Sequence, residues 1–127
     1  MAVQLDHVIV PVNDLDATLA FYGDVLGFGR DPDAPPFAVV RVSPTCTLQI
    51  APWGTGGGMH LAFAMEPADF ESAFARVRAN GVPYGDSFHS VGNGLGPGEE
   101  PGARGPGKAL YLEDPSKHLI ELRYYEP

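Results

Sequence analysis

The strongest constraint on the fold of this chain is an internal repeat. Shifting the sequence by 53 residues places His7 on His60 and Phe21 on Phe74. In each half, the histidine lies in a short β-like run, and a helix-like segment follows it. Because self-similarity at a fixed spacing is typical of a duplicated structural unit, we expect two copies of one small module.

Each half carries one amphipathic helix pattern. The first helix is predicted to begin at Asn13 and Asp14, which can cap its amides, and to stop at Gly27. The second has Pro67 near its first turn and Gly81 as its stop. Apolar residues recur on one face of each helix: Leu15, Leu19, Tyr22 and Leu26 in the first, and Phe70, Ala73, Phe74 and Val77 in the second. Each helix therefore needs a sheet to cover.

The remaining apolar runs predict strands. They lie at residues 5–12, 28–30, 37–42 and 45–51 in the first half and at 59–65, 84–91, 108–113 and 118–125 in the second. This order is βαβββ written twice. The predicted fold is α+β: two tandem βαβββ modules that form a cup-shaped curved sheet with the helices outside. We predict one domain over residues 1–127, with module one at about 3–53 and module two at about 57–127.

The two halves differ by one insertion, which lies in the second half. Residues 92–107 hold seven glycines and three prolines, a composition that disfavours the interior of a strand or helix. A long loop without secondary structure in a small domain is typical of a functional lid or of a disordered segment. We interpret it as a mobile flap; a surface loop without function is the alternative.

The charge of the chain excludes several partners. A net charge of −8 with only eight Lys and Arg argues against binding to nucleic acid and to anionic membranes. The first residues show no signal segment, and no apolar stretch approaches the roughly 18 residues of a membrane span, so we expect a cytoplasmic protein. The single cysteine, Cys46, permits neither an internal disulfide nor a cysteine-based metal site.

Strand parity places four polar side chains on the face away from the helices. These are His7, Gln49, His60 and Glu121, and apolar residues of the opposite parity form the packing face of each of their strands. Two imidazoles and one carboxylate suit Fe(II), Zn, Mn, Co or Ni, and Gln49 offers a neutral oxygen as a fourth ligand. The alternative is that both histidines are satisfied core residues and that Glu121 pairs with Arg123.

Several motifs together resemble a known superfamily. They are Leu5-Asp6-His7-Val8, the helix run from Ala20 to Phe28, Gly58-Met59-His60-Leu61, Tyr111-Leu112-Glu113-Asp114-Pro115 and Leu119-Ile120-Glu121-Leu122. The pattern is similar to that of the vicinal oxygen chelate superfamily, which includes glyoxalase I, bleomycin-resistance proteins and extradiol dioxygenases. The resemblance covers nearly the whole chain. It implies that His7, His60 and Glu121 are metal ligands, with Gln49 where a fourth ligand often lies.

The resemblance also separates the activities of that superfamily. Glyoxalase I activity would require a carboxylate at position 49 to act as a base, whereas the amide of Gln49 cannot take a proton near neutral pH. The stretch from Leu110 to Ser116 resembles the extradiol dioxygenase signature, which makes Tyr111 a candidate catalytic residue, yet the histidine expected before Leu110 is missing. Hairpin counting places Tyr111 opposite Glu121 only if the loop between the last two strands has an odd length, and the resemblance favours that register.

Two functions follow from these residues. The first is a metal-dependent enzyme, with dioxygenase, isomerase or lyase chemistry, acting on a small metabolite that chelates the metal through two neighbouring oxygens. The second is a metal-free protein that binds drugs or antibiotics, of the bleomycin-resistance type. Arg41, Trp53 and Arg123 are the candidate substrate-binding residues, although a solvated Arg41 and an ordinarily packed Trp53 are alternatives. We expect a homodimer.

Overall fold

The computed structural model describes residues 2–127 and divides into two compact units. The first unit ends at Gly56, and the second unit runs from Gly57 to Pro127. The division falls directly before the start that the sequence predicts for module two. No helix within the described residues is both long and apolar enough to cross a membrane.

The first unit contains one helix and a four-stranded sheet. Its elements are β1 (His7–Pro11), α1 (Leu15–Ala20), a π-helical segment (Phe21–Val25) that continues α1, β2 (Gly29–Ala34), β3 (Phe37–Ser43) and β4 (Cys46–Ala51). The strand order is β1-β4-β3-β2. Only the first and last strands pair in parallel; the other two pairs are antiparallel.

The second unit repeats this arrangement. Its elements are β5 (His60–Ala64), α2 (Pro67–Ala79), β6 (Gly98–Glu99), β7 (Gly107–Glu113) and β8 (Leu119–Tyr125). The order is β5-β8-β7-β6, again with the first and last strands parallel. The predicted α+β fold of two βαβββ modules is therefore confirmed.

The residues that the sequence predicts to cap or stop the two helices have the expected backbone geometry and contacts. The Asp14 carboxylate accepts a hydrogen bond from the Ala17 amide at 2.9 Å, which caps the first turn of α1. Gly27 and Gly81 adopt φ angles of 83° and 65°, the left-handed region in which glycine is unstrained. Pro67 stands at the start of α2, where the missing amide hydrogen costs nothing.

The strand predicted at residues 84–91 is wrong. Only an isolated bridge between Gly85 and Tyr111 forms there. The chain turns back on itself instead: Gly92 and Gly94 both donate to the Tyr84 carbonyl, and a side chain at Gly85 would collide with the Ser90 backbone. The turn-forming residues of this segment outweigh its apolar character.

The prediction that residues 92–107 form no strand is also wrong at Gly98, Glu99 and Gly107. Gly98 pairs with Ala109 and Glu99 with Lys108, so this segment supplies the fourth strand of the second sheet. An edge strand needs hydrogen bonds on one side only, and glycine is tolerated when a single short ladder is made. The glycine-rich segment thus replaces the strand predicted at 84–91.

Alternation along the strands separates a packing face from a polar face in the second unit. Ile120 and Leu122 of β8 are fully buried, and Tyr124 packs edge-to-face on Phe70 of α2 at 5.0 Å between ring centroids. Because side chains alternate along a strand, Glu121 and Arg123 lie on the face away from α2.

A buried turn sets the register of β7 and β8. Residues 114–118 form the connection, and the Asp114 carboxylate accepts hydrogen bonds from the Ser116 and His118 amides at 2.8 and 2.9 Å. With five residues in the turn, Tyr111 pairs with Glu121. This is the register that the resemblance favours.

We expect Asp114→Ala to destabilise the protein by about 2–4 kcal/mol, because it leaves two buried amides without an acceptor. Urea denaturation of the purified protein measures this change. Asp114→Asn keeps the Oδ1 acceptor and should recover most of the loss. Glu113→Ala, at the exposed neighbouring position, should change the free energy of unfolding little; an equal loss in both alanine variants would contradict this role of the turn.

Candidate functional site

His60 and Glu121 meet on the polar face of the second sheet. His60 pairs with Leu119 and Ala62 pairs with Glu121 across the parallel β5–β8 ladder, so both polar side chains project to the same side. The Nε2 atom of His60 lies 3.0 Å from Oε1 of Glu121. Two of the predicted metal ligands are thus brought together within one unit.

The Glu121 carboxylate is buried and held in place. Its side chain is 8% exposed, and its Oε2 atom accepts a hydrogen bond of 2.8 Å from Nη1 of Arg123, which is 6% exposed. A buried carboxylate needs such a partner, since an uncompensated charge out of water is strongly destabilising. The pairing of Glu121 with Arg123, which belonged to the alternative interpretation, is present and coexists with the contact to His60.

Tyr111 lies next to this pair. Its strand position opposite Glu121 brings its ring to 6.5 Å from the His60 ring, measured between centroids, and the residue is 2% exposed. Burial, followed by the negative charge of Glu121 and a hydrogen bond to it, raises the pKa of Tyr111 to about 12. The phenol therefore stays neutral at ordinary pH and keeps a proton that it can donate.

The first unit places His7 and Gln49 at the equivalent positions. His7 pairs with Thr47 and Ile9 pairs with Gln49 across the parallel β1–β4 ladder, so His7 and Gln49 share a face in the same diagonal relation as His60 and Glu121. The Nδ1 atom of His7 lies 2.8 Å from Asp6 Oδ2. A carboxylate partner on Nδ1 favours the tautomer with a free lone pair on Nε2, which is the form that binds metals.

A cavity of about 360 Å³ opens beside His60, Tyr111 and Glu121 within the second unit. Its further lining residues are Ala62, Phe88, Glu100, Pro101, Gly102, Ala103, Arg123 and Tyr125. Aromatic walls around a few converging polar groups are typical of a small-molecule site.

The sequence pattern of the Glyoxalase/Bleomycin resistance protein/Dioxygenase superfamily matches residues 4–122. The chain belongs to this superfamily. Its members bind small molecules, and they commonly use divalent metal ions. The fold supports many unrelated reactions, so membership alone does not name the reaction of this chain.

Solved structures of this superfamily fold include two oxidases. Oxidase ChaP-H2 is 28% identical, with a TM-score of 0.77 over 100% of this chain and 96% of its own. Oxidase ChaP-H1 is 29% identical, with a TM-score of 0.74 over 99% of this chain and 98% of its own. TnmS3, an antibiotic binding protein from Streptomyces sp. CB03234, is 21% identical, with a TM-score of 0.75 over 99% of both chains, and shows the fold alone.

The residues of the second unit fit two coordination positions of a divalent metal. Two donors about 2.1 Å from a metal and at right angles lie about 3.0 Å apart, which is the separation of His60 Nε2 and Glu121 Oε1. Imidazole nitrogen and carboxylate oxygen are suitable donors for first-row divalent ions. Within residues 2–127, no group of three or more His, Cys, Asp or Glu side chains forms a complete site.

Arg41 and Trp53, the other substrate-binding candidates, lie in the first unit. Nη2 of Arg41 is 2.7 Å from Asp31 Oδ2, and hydrogen bonding and charge from Asp31 raise the pKa of its guanidinium. Trp53 is 61% exposed and contacts Phe37 edge-to-face, with 5.6 Å between ring centroids. Arg41 shares a face with Thr47 and His7, because all three occupy one row across β3, β4 and β1.

Sequence reasoning missed Phe88 and residues 100–103 as cavity-lining residues. The sequence predicts Phe88 in a strand that does not form, and residues 100–103 lie in the glycine-rich segment. The signal in the sequence is an aromatic residue among the turn-forming residues Asp86, Ser87 and Ser90, since loops beside a rigid sheet often supply the walls of a site.

We expect Tyr111 to resist ionisation when the pH rises. An ordinary tyrosine with a pKa of 10 is about 90% ionised at about pH 11, whereas Tyr111, with a pKa raised to about 12, should be mostly neutral. Phenolate absorbance of chelator-treated native protein and Tyr111→Phe should therefore differ little at about pH 11 and diverge above it.

The raised pKa of Tyr111 also determines how the free energy of unfolding changes with pH. The native state holds the Tyr111 proton more tightly than the unfolded chain does, so its contribution is intact below about pH 10 and is lost as the pH rises to about 12. Tyr111→Phe should lack this loss in urea denaturation. If native protein and Tyr111→Phe differed at about pH 11 by the phenolate absorbance of one whole tyrosine, burial would not protect the phenol.

Proposed function

We propose that this chain is a divalent-metal-dependent enzyme acting on a small molecule that chelates the metal through two neighbouring oxygens. The observation that carries the proposal is the pair of His60 and Glu121, whose donor atoms lie 3.0 Å apart on one face. Glu121 is held there by the hydrogen bond of 2.8 Å from Arg123 to Oε2, so its other oxygen, Oε1, has a fixed direction towards His60. A fixed carboxylate direction is what a ligand to a metal requires.

We propose His60 and Glu121 as the ligands of the second unit. His7 and Gln49 occupy the equivalent positions of the first sheet, and their role as ligands stays a prediction from the sequence. When bound, Fe(II), Zn, Ni, Co or Mn would polarise the two substrate oxygens as a Lewis acid. Gln49 contributes only a neutral oxygen, so it coordinates without taking a proton.

The cavity residues have separate roles in this proposal. Tyr111 stays protonated, and when substrate is bound its phenol donates its one proton to a substrate oxygen in place of Glu121. Phe88 and Tyr125 contact the apolar part of the substrate and exclude water from the polar end of the cavity. Among the reactions that the sequence leaves open, oxidation is favoured, because two relatives named as oxidases are 28% and 29% identical over nearly the whole chain.

A metal-free binding protein is the second candidate function. Both oxygens of Glu121 already have protein partners, one in His60 and one in Arg123, so the polar end of the cavity is satisfied without an ion. The aromatic cavity walls could then hold a flat, apolar ligand by contact alone. Such a protein would bind its ligand equally well in the presence of a chelator.

Metal analysis of protein purified without chelator tests the leading proposal. We expect close to one equivalent of a first-row divalent metal in the native protein. His60→Ala removes a donor and Glu121→Gln replaces a charged ligand oxygen with a neutral one, so each should lower this to below roughly a tenth of an equivalent. His89→Ala, which removes an exposed histidine of the same unit, should leave the metal content unchanged.

Two results would contradict the enzyme proposal. One is native protein with less than roughly a tenth of an equivalent of any transition metal after addition and removal of excess metal. The other is a bound metal whose amount does not depend on His60 or Glu121. Chelator-insensitive binding of an aromatic ligand would then support the second function.

The assembly and location of the protein belong to this proposal as well. We propose a homodimer, the commonest symmetric assembly, which light scattering with size-exclusion chromatography tests directly. A cytoplasmic location remains a prediction from the sequence.

A further inference from the structure

The guanidinium of Arg123 connects Glu121 to the glycine-rich segment. Its Nη1 atom donates to Oε2 of Glu121, and its Nη2 atom donates to the backbone carbonyl of Glu100, both at 2.8 Å. Glu121 belongs to β8, whereas Glu100 follows β6 at the edge of the sheet. A single side chain thus contacts both a proposed metal ligand and a loop that lines the cavity.

The space around this guanidinium is filled on both sides. The Tyr125 ring centroid lies 4.3 Å from Cζ of Arg123. A Cβ atom at Gly102 would collide with the Tyr125 hydroxyl and would lie 2.5 Å from Cζ and 2.7 Å from Nη1 of Arg123, so only glycine fits while both side chains hold their places. Arg104, at the tip of the same loop, also lies 4.3 Å from the Tyr125 ring. The loop and Arg123 therefore depend on each other's position.

The Nε atom of Arg123 gives an independent indication that this position is enforced. It is buried and finds no hydrogen-bond partner among residues 2–127. A buried donor without a partner is unfavourable, so the two terminal nitrogens must hold the side chain in place against this cost. Loss of either acceptor should therefore move the whole guanidinium.

We propose that Arg123 is a positioning residue through which the seating of residues 100–105 controls the direction of the Glu121 carboxylate. With the loop seated, Arg123 holds Oε2 of Glu121 and leaves Oε1 facing His60. With the loop lifted, Arg123 loses the Glu100 carbonyl and the contact with Gly102, and Glu121 loses its fixed direction. This inference rests on the proposed role of Glu121 as a metal ligand.

Coupling of this kind is reciprocal. If a seated loop improves metal binding at Glu121, a bound metal must favour the seated loop by the same factor. The loop carries its own reporter, because trypsin cleaves after Arg104, and a seated loop is a poor substrate. Both directions of the coupling can therefore be measured without an enzyme assay.

The experiment uses chelator-treated protein and Zn²⁺ as the probe. Calorimetry measures the affinity for Zn²⁺, and mass spectrometry measures the rate of tryptic cleavage after Arg104 with and without Zn²⁺. In native protein we expect Zn²⁺ to slow this cleavage about fivefold or more. In Gly102→Ala, whose added methyl group displaces Arg123, we expect about tenfold weaker Zn²⁺ binding and no protection of Arg104.

Two further variants make the outcome decisive. Gly29→Ala, at a strand glycine with open space around it, should behave as native protein. Arg123→Lys keeps the charge but cannot reach both acceptors with one ammonium group, so it should reproduce the effect of Gly102→Ala even if that variant folds poorly.

Suppose that native protein binds Zn²⁺ through His60 and Glu121, and that Gly102→Ala and Arg123→Lys show the same Zn²⁺ affinity and the same protection of Arg104. This result would overturn the inference and leave the proposed function standing. Native protein that binds no Zn²⁺ or other divalent metal would overturn both. If trypsin cleaved the variants faster after Arg104 but Zn²⁺ had no effect on the cleavage of native protein, Arg123 would only stabilise the loop. This result would also overturn the inference.

Discussion

The burial of one carboxylate explains most of the arrangement in the second unit. The side chain of Glu121 is 8% exposed, and a charged group in that position is tolerated only if its oxygens are paired. Arg123 pairs with one oxygen and His60 with the other, and the neighbouring phenol of Tyr111 stays neutral beside the charge. The same contacts that satisfy the buried charge give the carboxylate a fixed direction. The stability of this site and the proposed ligand geometry thus have one physical origin.

The parallel pairing of the first and last strands creates this arrangement in both units. In each sheet, a histidine begins the first strand, and a polar residue lies two positions further along the ladder on the last strand. Residues in this diagonal relation share a face and lie within reach of long side chains. The duplicated topology therefore produces the same pair of positions twice, occupied by His7 and Gln49 in one unit and by His60 and Glu121 in the other.

Several features of the fold were predictable because they depend on local sequence. Helix caps and stops at Asp14, Gly27, Pro67 and Gly81 follow from backbone chemistry that acts within a few residues. The polar face of β8 follows from the two-residue period of a strand. The fourth strand of the second sheet was not predictable in this way. Its two residues, Gly98 and Glu99, have no strand propensity and form a strand only because β7 offers them hydrogen bonds.

The sequence by itself determined the repeat, the α+β class and the set of polar residues that share a face, because alternation and capping are encoded residue by residue. It also identified the superfamily. Only the tertiary structure decided that Arg123 holds Glu121, that Gly102 must lack a side chain, and that Phe88 lines a cavity. These contacts join segments that are distant in sequence, through a turn and a loop whose course depends on packing. No local pattern carries that information, since the partners are chosen by space and charge after the strands have paired.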